Sequence, residues 1–173
     1  YFLNLSIIYF SVIGLEFFFK LLNSKKFNYL FIFLIFFYFI NISIWMIVNH
    51  PYQHVYFNNF AKKYNNKFEL DYWGLSNSEA LNYIINNSQQ TNKIIKIKAL
   101  GRSRIIYAYK ALDSNSQKKI EILSRDGLLN ADYYITNFHD GRNKKHYSSS
   151  GFEILKEIKV DNFPINIIMK YNN

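Results

Sequence analysis

Two short stretches concentrate the side chains of this sequence that could do chemistry. The first is HPYQH, in which His50 and His54 stand four residues apart. On a helix that spacing puts two imidazoles on one face, where they could bind a metal ion. No glutamate follows the first histidine, and Pro51 indicates that a helix only begins there. We therefore expect hydrogen-bonding histidines and no metal site.

The second stretch is FELDYWG, in which Glu69 and Asp71 stand two residues apart. Paired carboxylates can share the roles of general acid and general base, and residues two apart in an extended segment face the same side. The alternative is structural: Asp71 caps the turn that Gly74 completes, and Tyr72 and Trp73 pack beneath it. We favour the structural interpretation.

The other polar residues form no further catalytic pattern. His139 and His146 lie in a polar stretch and are expected to be exposed, and Gly101 and Gly127 are isolated, which excludes a glycine-rich phosphate loop. No serine, histidine and aspartate have a spacing that suggests nucleophilic catalysis. The sequence contains no cysteine, which excludes thiol catalysis, disulfides and zinc ribbons. We predict no catalytic residue, no metal and no cofactor in this chain.

Two apolar runs precede these stretches. Residues 28–48 carry no formal charge, and about 20 such residues reach about 30 Å as a helix, the hydrocarbon thickness of a bilayer. We predict a transmembrane helix here; the alternative, a buried core helix, would show a polar stripe. Residues 1–22 are predicted to be a second transmembrane helix with a truncated start, because the sequence begins with Tyr1 rather than Met. Glu16 and Lys20 stand four apart and are expected to pair at the interface.

The segment 23–27 between the two runs is predicted to be a cytoplasmic loop. Lys20, Lys25 and Lys26 put three positive charges on or beside it, and the positive-inside rule places such loops in the cytoplasm. The first helix then runs inward and the second outward. Residues 49–173 are therefore predicted to form an extracytoplasmic domain.

Strands alternate with helices along residues 49–173, which predicts a small α/β domain ending in an antiparallel strand pair. Ser76 and Glu79 have the spacing of a capping box at the start of a helix over 77–87. Its apolar stripe is Ala80, Leu81, Ile84 and Ile85. The predicted strands are 93–99, 120–123, 132–136, 152–160 and 165–171, with a short helix over 104–112, a loop over 140–151 and a turn over 161–164.

The formal net charge of +9 raises nucleic acid and anionic membrane as partners. The lysines and arginines are scattered, and no basic stripe is interleaved with aromatic residues. We therefore expect no nucleic-acid partner. A basic surface beside acidic lipid headgroups is the favoured interpretation, with the lipid bilayer as the partner.

Two motifs give the chain a family resemblance. HPYQ-x-x-YFN at 50–58 and E-x-DYWG at 69–74, placed after a last apolar run, resemble the C-terminal end of bacterial integral-membrane C-type glycosyltransferases. These are similar to the protein mannosyltransferases and the lipid-A aminoarabinose transferases. ADYYITN at 131–137 and the final strand pair fit the same tail, whereas Asn65-Asn66 stands where relatives commonly have glycines.

The resemblance implies a multi-pass protein of the bacterial inner membrane that moves a sugar from a polyprenyl-phosphate donor to an extracytoplasmic acceptor. In such enzymes the catalytic carboxylate lies in the first extracytoplasmic loop, which this fragment does not contain, so no residue here receives the catalytic role. The residues expected to be substrate-side or structural are His50, Tyr52, Gln53, Tyr56, Asn58, Glu69, Asp71, Tyr72 and Trp73.

Two other functions stay open on the sequence. The first is a membrane-anchored extracytoplasmic module that binds a glycan, a peptide or a partner protein without catalysis. Many further spans upstream of Tyr1 would favour the enzyme, and one or none would favour the module. The second is a soluble basic nucleic-acid binder, which would require a cytoplasmic tail.

Overall fold

The computed structural model describes residues 2–22, 24–88, 93–101, 103–124, 131–138 and 144–172. The chain divides into two compact units, residues 1–48 and residues 49–173. The first unit consists of two helices, and the second has a mixed α/β fold around a five-stranded sheet. The α/β fold class predicted for the second unit is confirmed.

The first unit contains helix α1, Phe2–Leu22, and helix α2, Lys25–Val48. Among the described residues, α2 is the one helix long and apolar enough to cross a membrane, and none of that apolar stretch is buried. The Asn41 amide donates to the Phe37 carbonyl at 2.7 Å, so this polar group is satisfied within the helix. The expected pair between Lys20 and Glu16 in α1 forms at 2.7 Å.

Helix α2 begins at Lys25, three residues before the predicted start, so the predicted loop over 23–27 is too long. The amide of Asn28 donates to the carbonyl of Ser24 at 3.0 Å, which closes the first helical turn. Lysine is a good helix former, and the unfavourable interaction of its charge with the helix N-terminus is small, about 0.3–1 kcal/mol for a residue.

The sheet of the second unit combines parallel and antiparallel strands. In spatial order it reads β2-β1-β3-β5-β4. The first three strands in this order are parallel, and β5 runs antiparallel between β3 and β4. The strands are β1 Ile95–Ala99, β2 Ile120–Ile122, β3 Tyr133–Thr136, β4 Phe152–Val160 and β5 Phe163–Tyr171.

In the described residues of this unit, four α-helices and two short 3₁₀ helices accompany the sheet. The apolar stripe of α3 is largely confirmed, since Ala80, Leu81 and Ile84 are fully buried and the helix packs on β5. The helices are α3 Ser76–Asn87, α4 Ile105–Lys110, α5 Ser114–Lys119 and α6 Lys144–Ser149, and the 3₁₀ helices are Gln53–Val55 and Ala61–Lys67.

The helix predicted over 104–112 ends two residues early, and a second helix follows it. The Asp113 carboxylate accepts hydrogen bonds from the amides of Asn115 and Ser116 at 2.9 and 3.0 Å. These bonds satisfy free donors at the start of α5 and lower the pKa of Asp113. The capping aspartate therefore separates α4 from α5.

The loop predicted over 140–151 contains helix α6 instead. Tyr147 is buried in the core against Tyr134 and Met169, and this contact explains why a polar segment forms a helix. Lys144 and Lys159 both pair with Glu157 of β4 and lower the pKa of its carboxyl. His146 is exposed, as predicted, whereas His139 lies outside the described residues.

The final strand pair is confirmed, but its turn is shorter than the predicted 161–164. Asp161 and Asn162 have φ values of 49° and 68°, and two consecutive left-handed residues are what a two-residue hairpin turn requires. Pro164 belongs to β5. It lies beyond residues 167–169, where β5 pairs with β3, so its missing N–H leaves no β3 carbonyl unpaired.

Candidate functional site

Polar side chains gather at the carboxyl ends of β1 and β3. Asn137 directly follows β3, and Ser103 and Arg104 follow β1. The chain leaves β1 toward β2 on one side, while β3 lies on the other side. Such a switch point is where open α/β sheets leave a crevice. Residues 71–74, here called the DYWG elbow, lie there: the Asn137 amide donates to the Asp71 carbonyl at 2.7 Å.

The side chain of Asp71 points inward and is only 1% exposed. Its Oδ1 accepts a hydrogen bond from the Leu75 amide at 3.0 Å, and its Oδ2 accepts one from the Ser76 amide at 3.0 Å. The Ser76 hydroxyl also donates to Oδ2. These amides are free donors at the start of α3, so Asp71 caps this helix. The prediction gave Asp71 a structural role as the cap of the turn that Gly74 completes, whereas the structure has its carboxylate capping the helix that follows this turn.

The predicted capping box is wrong. The Ser76 hydroxyl donates to Asp71, and the Glu79 carboxylate accepts a 2.6 Å hydrogen bond from the phenol of Tyr52. Burial, followed by the nearby Glu79 carboxylate, raises the pKa of Tyr52, so the phenol keeps its proton and acts as the donor. Tyr52 thereby joins the segment after α2 to the first turn of α3.

Glu69 and Asp71 have different surroundings. Glu69 is exposed, whereas Asp71 is buried and its oxygens accept hydrogen bonds from the amides of Leu75 and Ser76. A substrate cannot reach a carboxylate that is enclosed in this way. The geometry therefore gives no support to the acid–base interpretation of this pair.

The two histidines of HPYQH contact different partners. The His54 Nε2 lies 3.3 Å from the Asp71 Oδ1, and the His50 Nδ1 lies 2.7 Å from the Gln53 Nε2. Both rings are engaged in hydrogen bonds. The contact with Asp71 also ties His54 to the elbow. Within the part of the chain that the structure describes, no three His, Asp or Glu side chains are grouped to hold a metal.

Two further motif residues lie just after HPYQH. The Asn58 Oδ1 accepts hydrogen bonds from the amides of Phe60 and Ala61 at 3.1 and 2.9 Å, so it caps the 3₁₀ helix over 61–67. Tyr56 is half-buried. Asn58 is therefore structural in this fold. The hydrogen bonds described for its side chain join it to residues 60 and 61 and not to the elbow.

Asparagines that the sequence did not indicate complete the support of the elbow. The Asn166 amide donates to the Ser76 Oγ and to the Asn77 Oδ1, both at 2.9 Å. The Ser103 hydroxyl donates to the same Asn77 oxygen at 3.1 Å. Asn77 and Asn166 are fully buried. The one signal in the sequence was a lone polar residue, Asn166, inside the apolar strand INIIM.

Asp71 points inward, whereas the next two side chains of the elbow project outward. Tyr72 is 42% exposed and Trp73 is 62% exposed, so the prediction that they pack beneath the turn is wrong. Their rings meet edge to face, with centroids 5.2 Å apart. The guanidinium carbon of Arg104 lies 5.5 Å from the Tyr72 ring centre and 5.8 Å from that of Trp73. These three residues are here called the aromatic platform.

The residue types of the aromatic platform are suited to contact with a ligand. Leaving a large aromatic side chain in water forgoes roughly 1.5–3 kcal/mol of burial, and exposed apolar patches often mark binding surfaces. An indole ring can stack on the apolar C–H face of a sugar. The guanidinium of Arg104 carries N–H donors suited to phosphate, carboxylate or hydroxyl oxygens.

A scan against protein-family models finds no match to this chain. Searches of the curated proteins and of the solved structures also find no significant match. These comparisons assign the chain to no family, so the motifs, the fold and the geometry of the platform are what bear on its function.

Proposed function

We propose that this chain is the C-terminal part of a multi-pass bacterial membrane glycosyltransferase that uses a polyprenyl-phosphate sugar donor. In this proposal α1 and α2 are the last two spans in the inner membrane, and residues 49–173 are extracytoplasmic. The spacing of HPYQ-x-x-YFN and E-x-DYWG supports it. The length and hydropathy of α2 fit a membrane span. The lysines before its apolar part favour a cytoplasmic start of α2 and an extracytoplasmic position for the residues after it.

The role proposed for the second unit is to contact the sugar through the aromatic platform. The observation that carries this role is the way the elbow is built. A buried carboxylate with three donors from Leu75 and Ser76 joins the chain two residues before an exposed tryptophan to the chain two residues after it. A side chain held in position before its ligand arrives loses little entropy on binding, which is how binding sites gain affinity.

The chemistry of the platform suits a glycosyl group linked to phosphate. Trp73 would stack on the sugar ring, and Arg104 would donate to its hydroxyls or to the phosphate oxygens. The platform contributes no acid or base. In this proposal the catalytic carboxylate comes from a part of the parent enzyme outside this sequence, and the platform is a positioning element.

Replacing Trp73 by alanine in the parent enzyme is expected to reduce sugar transfer about tenfold, since a contact of about 1.4 kcal/mol corresponds to a factor of ten. The assay would follow transfer from a radiolabelled polyprenyl-phosphate sugar in membranes. Tyr107 is the matched control, because it is 67% exposed on α4 and not part of the platform. Unchanged transfer by Trp73→Ala at normal expression would refute the role of the platform.

A membrane-anchored binding module is the second candidate. It is favoured by the fact that the exposed platform lies beside a buried carboxylate, Asp71, whose two oxygens both accept hydrogen bonds, and not beside an accessible acid or base. The same assay separates the two. A parent protein that binds the donor through Trp73 but transfers no sugar is a module, and transfer that depends on Trp73 identifies the enzyme.

A further inference from the structure

A second group of exposed aromatic side chains lies in residues 57–68, here called the aromatic loop. Phe60 is 85% exposed, Tyr64 is 54% exposed and Phe68 is 52% exposed. Three large rings within one short segment are unusual for a surface that faces only water. The platform proposed to contact sugar does not include them.

The aromatic loop is fixed in position. The Asn58 side chain caps its 3₁₀ helix, and the rings of Phe57 and Phe68 stack with centroids 5.3 Å apart. The Lys62 ammonium pairs with the Asp161 carboxylate at 2.8 Å, which ties the loop to the turn of the final hairpin. The exposed rings are therefore carried by a segment anchored at several points.

The residue types of the loop match the interface of a bilayer. Tyrosine and lysine favour the headgroup region, and phenylalanine inserts at the boundary between headgroups and acyl chains. Residues 57–68 contain Lys62, Lys63 and Lys67 and no acidic residue. Lys62 is paired with Asp161, so the charges of Lys63 and Lys67 are the ones that complement anionic lipid headgroups, and each lysine near the surface contributes about 1 kcal/mol.

The chain also limits how far the loop can lie from the membrane. Phe60 stands twelve residues after Val48, where α2 ends. Even a fully extended connection of this length spans at most about 40 Å. If α2 crosses a bilayer, the aromatic loop is always within reach of the surface from which α2 emerges.

We propose that the aromatic loop docks on the surface of the bilayer that α2 spans. The ring of Phe60 inserts at the level of the headgroups and upper acyl chains, and Lys63 lies among the lipid phosphates. The partner is an anionic phospholipid surface. This inference rests on α2 as a membrane span and does not depend on sugar transfer.

The test uses the full chain in nanodiscs that contain an anionic lipid. The sequence has no cysteine, so Phe60→Cys and Tyr107→Cys each give one site for a nitroxide label. Collisions with oxygen, which concentrates in lipid, are compared with collisions with a water-soluble nickel chelate. The label at residue 60 is expected to lie about 5–10 Å deep and to be shielded from nickel. The label at residue 107 is expected to be fully accessible to nickel.

Three outcomes would overturn the docking proposal. One is equal nickel accessibility at residues 60 and 107. Another is shielding at residue 60 that is accompanied by spin–spin broadening as the number of chains per disc rises, which indicates a second copy of the chain. The third is shielding that is unchanged in purely zwitterionic lipid and after Lys63→Gln, because the partner would then not be an anionic surface. Phe68→Cys provides a second labelling site if the Phe60 variant does not fold.

Discussion

Replacing Asp71 by alanine is expected to destabilise the unit 49–173 by about 3–5 kcal/mol, the range found when one member of a buried charged interaction is removed. The substitution leaves the amides of Leu75 and Ser76 without an acceptor in a site where Asp71 is only 1% exposed. Each buried donor left unpaired costs about 1–3 kcal/mol. The loss of the helix cap acts on the same amides and is included in that cost.

Denaturant unfolding followed by tryptophan emission measures this effect. The chain contains two tryptophans, so Trp45→Phe leaves Trp73 as the sole fluorescent reporter. Trp73 belongs to the elbow, so its emission reports on the region that the substitution affects. Glu69→Ala is the matched control, because Glu69 is an exposed carboxylate two residues away and the interactions of an exposed charge contribute at most about 1 kcal/mol. Equal stability of the Asp71→Ala and Glu69→Ala variants would contradict the capping role of Asp71.

Replacing Gly74 by alanine is expected to cost about 2–4 kcal/mol, from left-handed backbone strain and from overpacking together. Gly74 has a φ of 71°, and an added Cβ would lie 2.6 Å from the Asn77 Nδ2. Asn77 cannot easily move away, because its Oδ1 accepts hydrogen bonds from Asn166 and Ser103. The strain and the clash both act where Trp73 joins α3.

The same unfolding assay tests Gly74, and a second variant separates the two causes. Asparagine tolerates a positive φ but carries a Cβ, so Gly74→Asn keeps the clash and relieves part of the strain. We expect Gly74→Asn to be less destabilising than Gly74→Ala. Full stability of Gly74→Ala would show that the elbow is not constrained in this way.

The fold was predictable wherever local pattern decides structure. Apolar length marked α2, and runs rich in isoleucine, valine and tyrosine marked the strands. One failure lies where distant residues decide. Helix α6 depends on Tyr147 reaching the core beside Tyr134, and the sequence around it is polar. The misplaced hairpin turn is a local failure: Asp161 and Asn162 adopt left-handed conformations, which these residue types permit but do not require.

The candidate site was predictable only in part, for the same reason. A capping role for Asp71 follows from residues a few positions away and was predicted, but for the turn and not for the helix. The contacts that hold the elbow in the fold connect residues far apart: Asn137 lies 66 residues from Asp71, and Asn166 lies 90 residues from Ser76. Aromatic residues usually pack inward. The neighbouring sequence therefore predicts neither the exposure of the Trp73 side chain nor the position of Arg104 beside its ring.

Direct binding to Trp73 tests the central claim, that the elbow presents this tryptophan to a sugar. The Trp45→Phe chain in detergent would be titrated with a polyprenyl-phosphate sugar and, as the control, with the same polyprenyl phosphate lacking the sugar. We predict a saturable change in Trp73 emission with the glycosylated lipid alone, and affinity about tenfold weaker after Arg104→Ala, as expected for the loss of about 1.4 kcal/mol. The same emission change with both lipids, or none with either, would contradict the account.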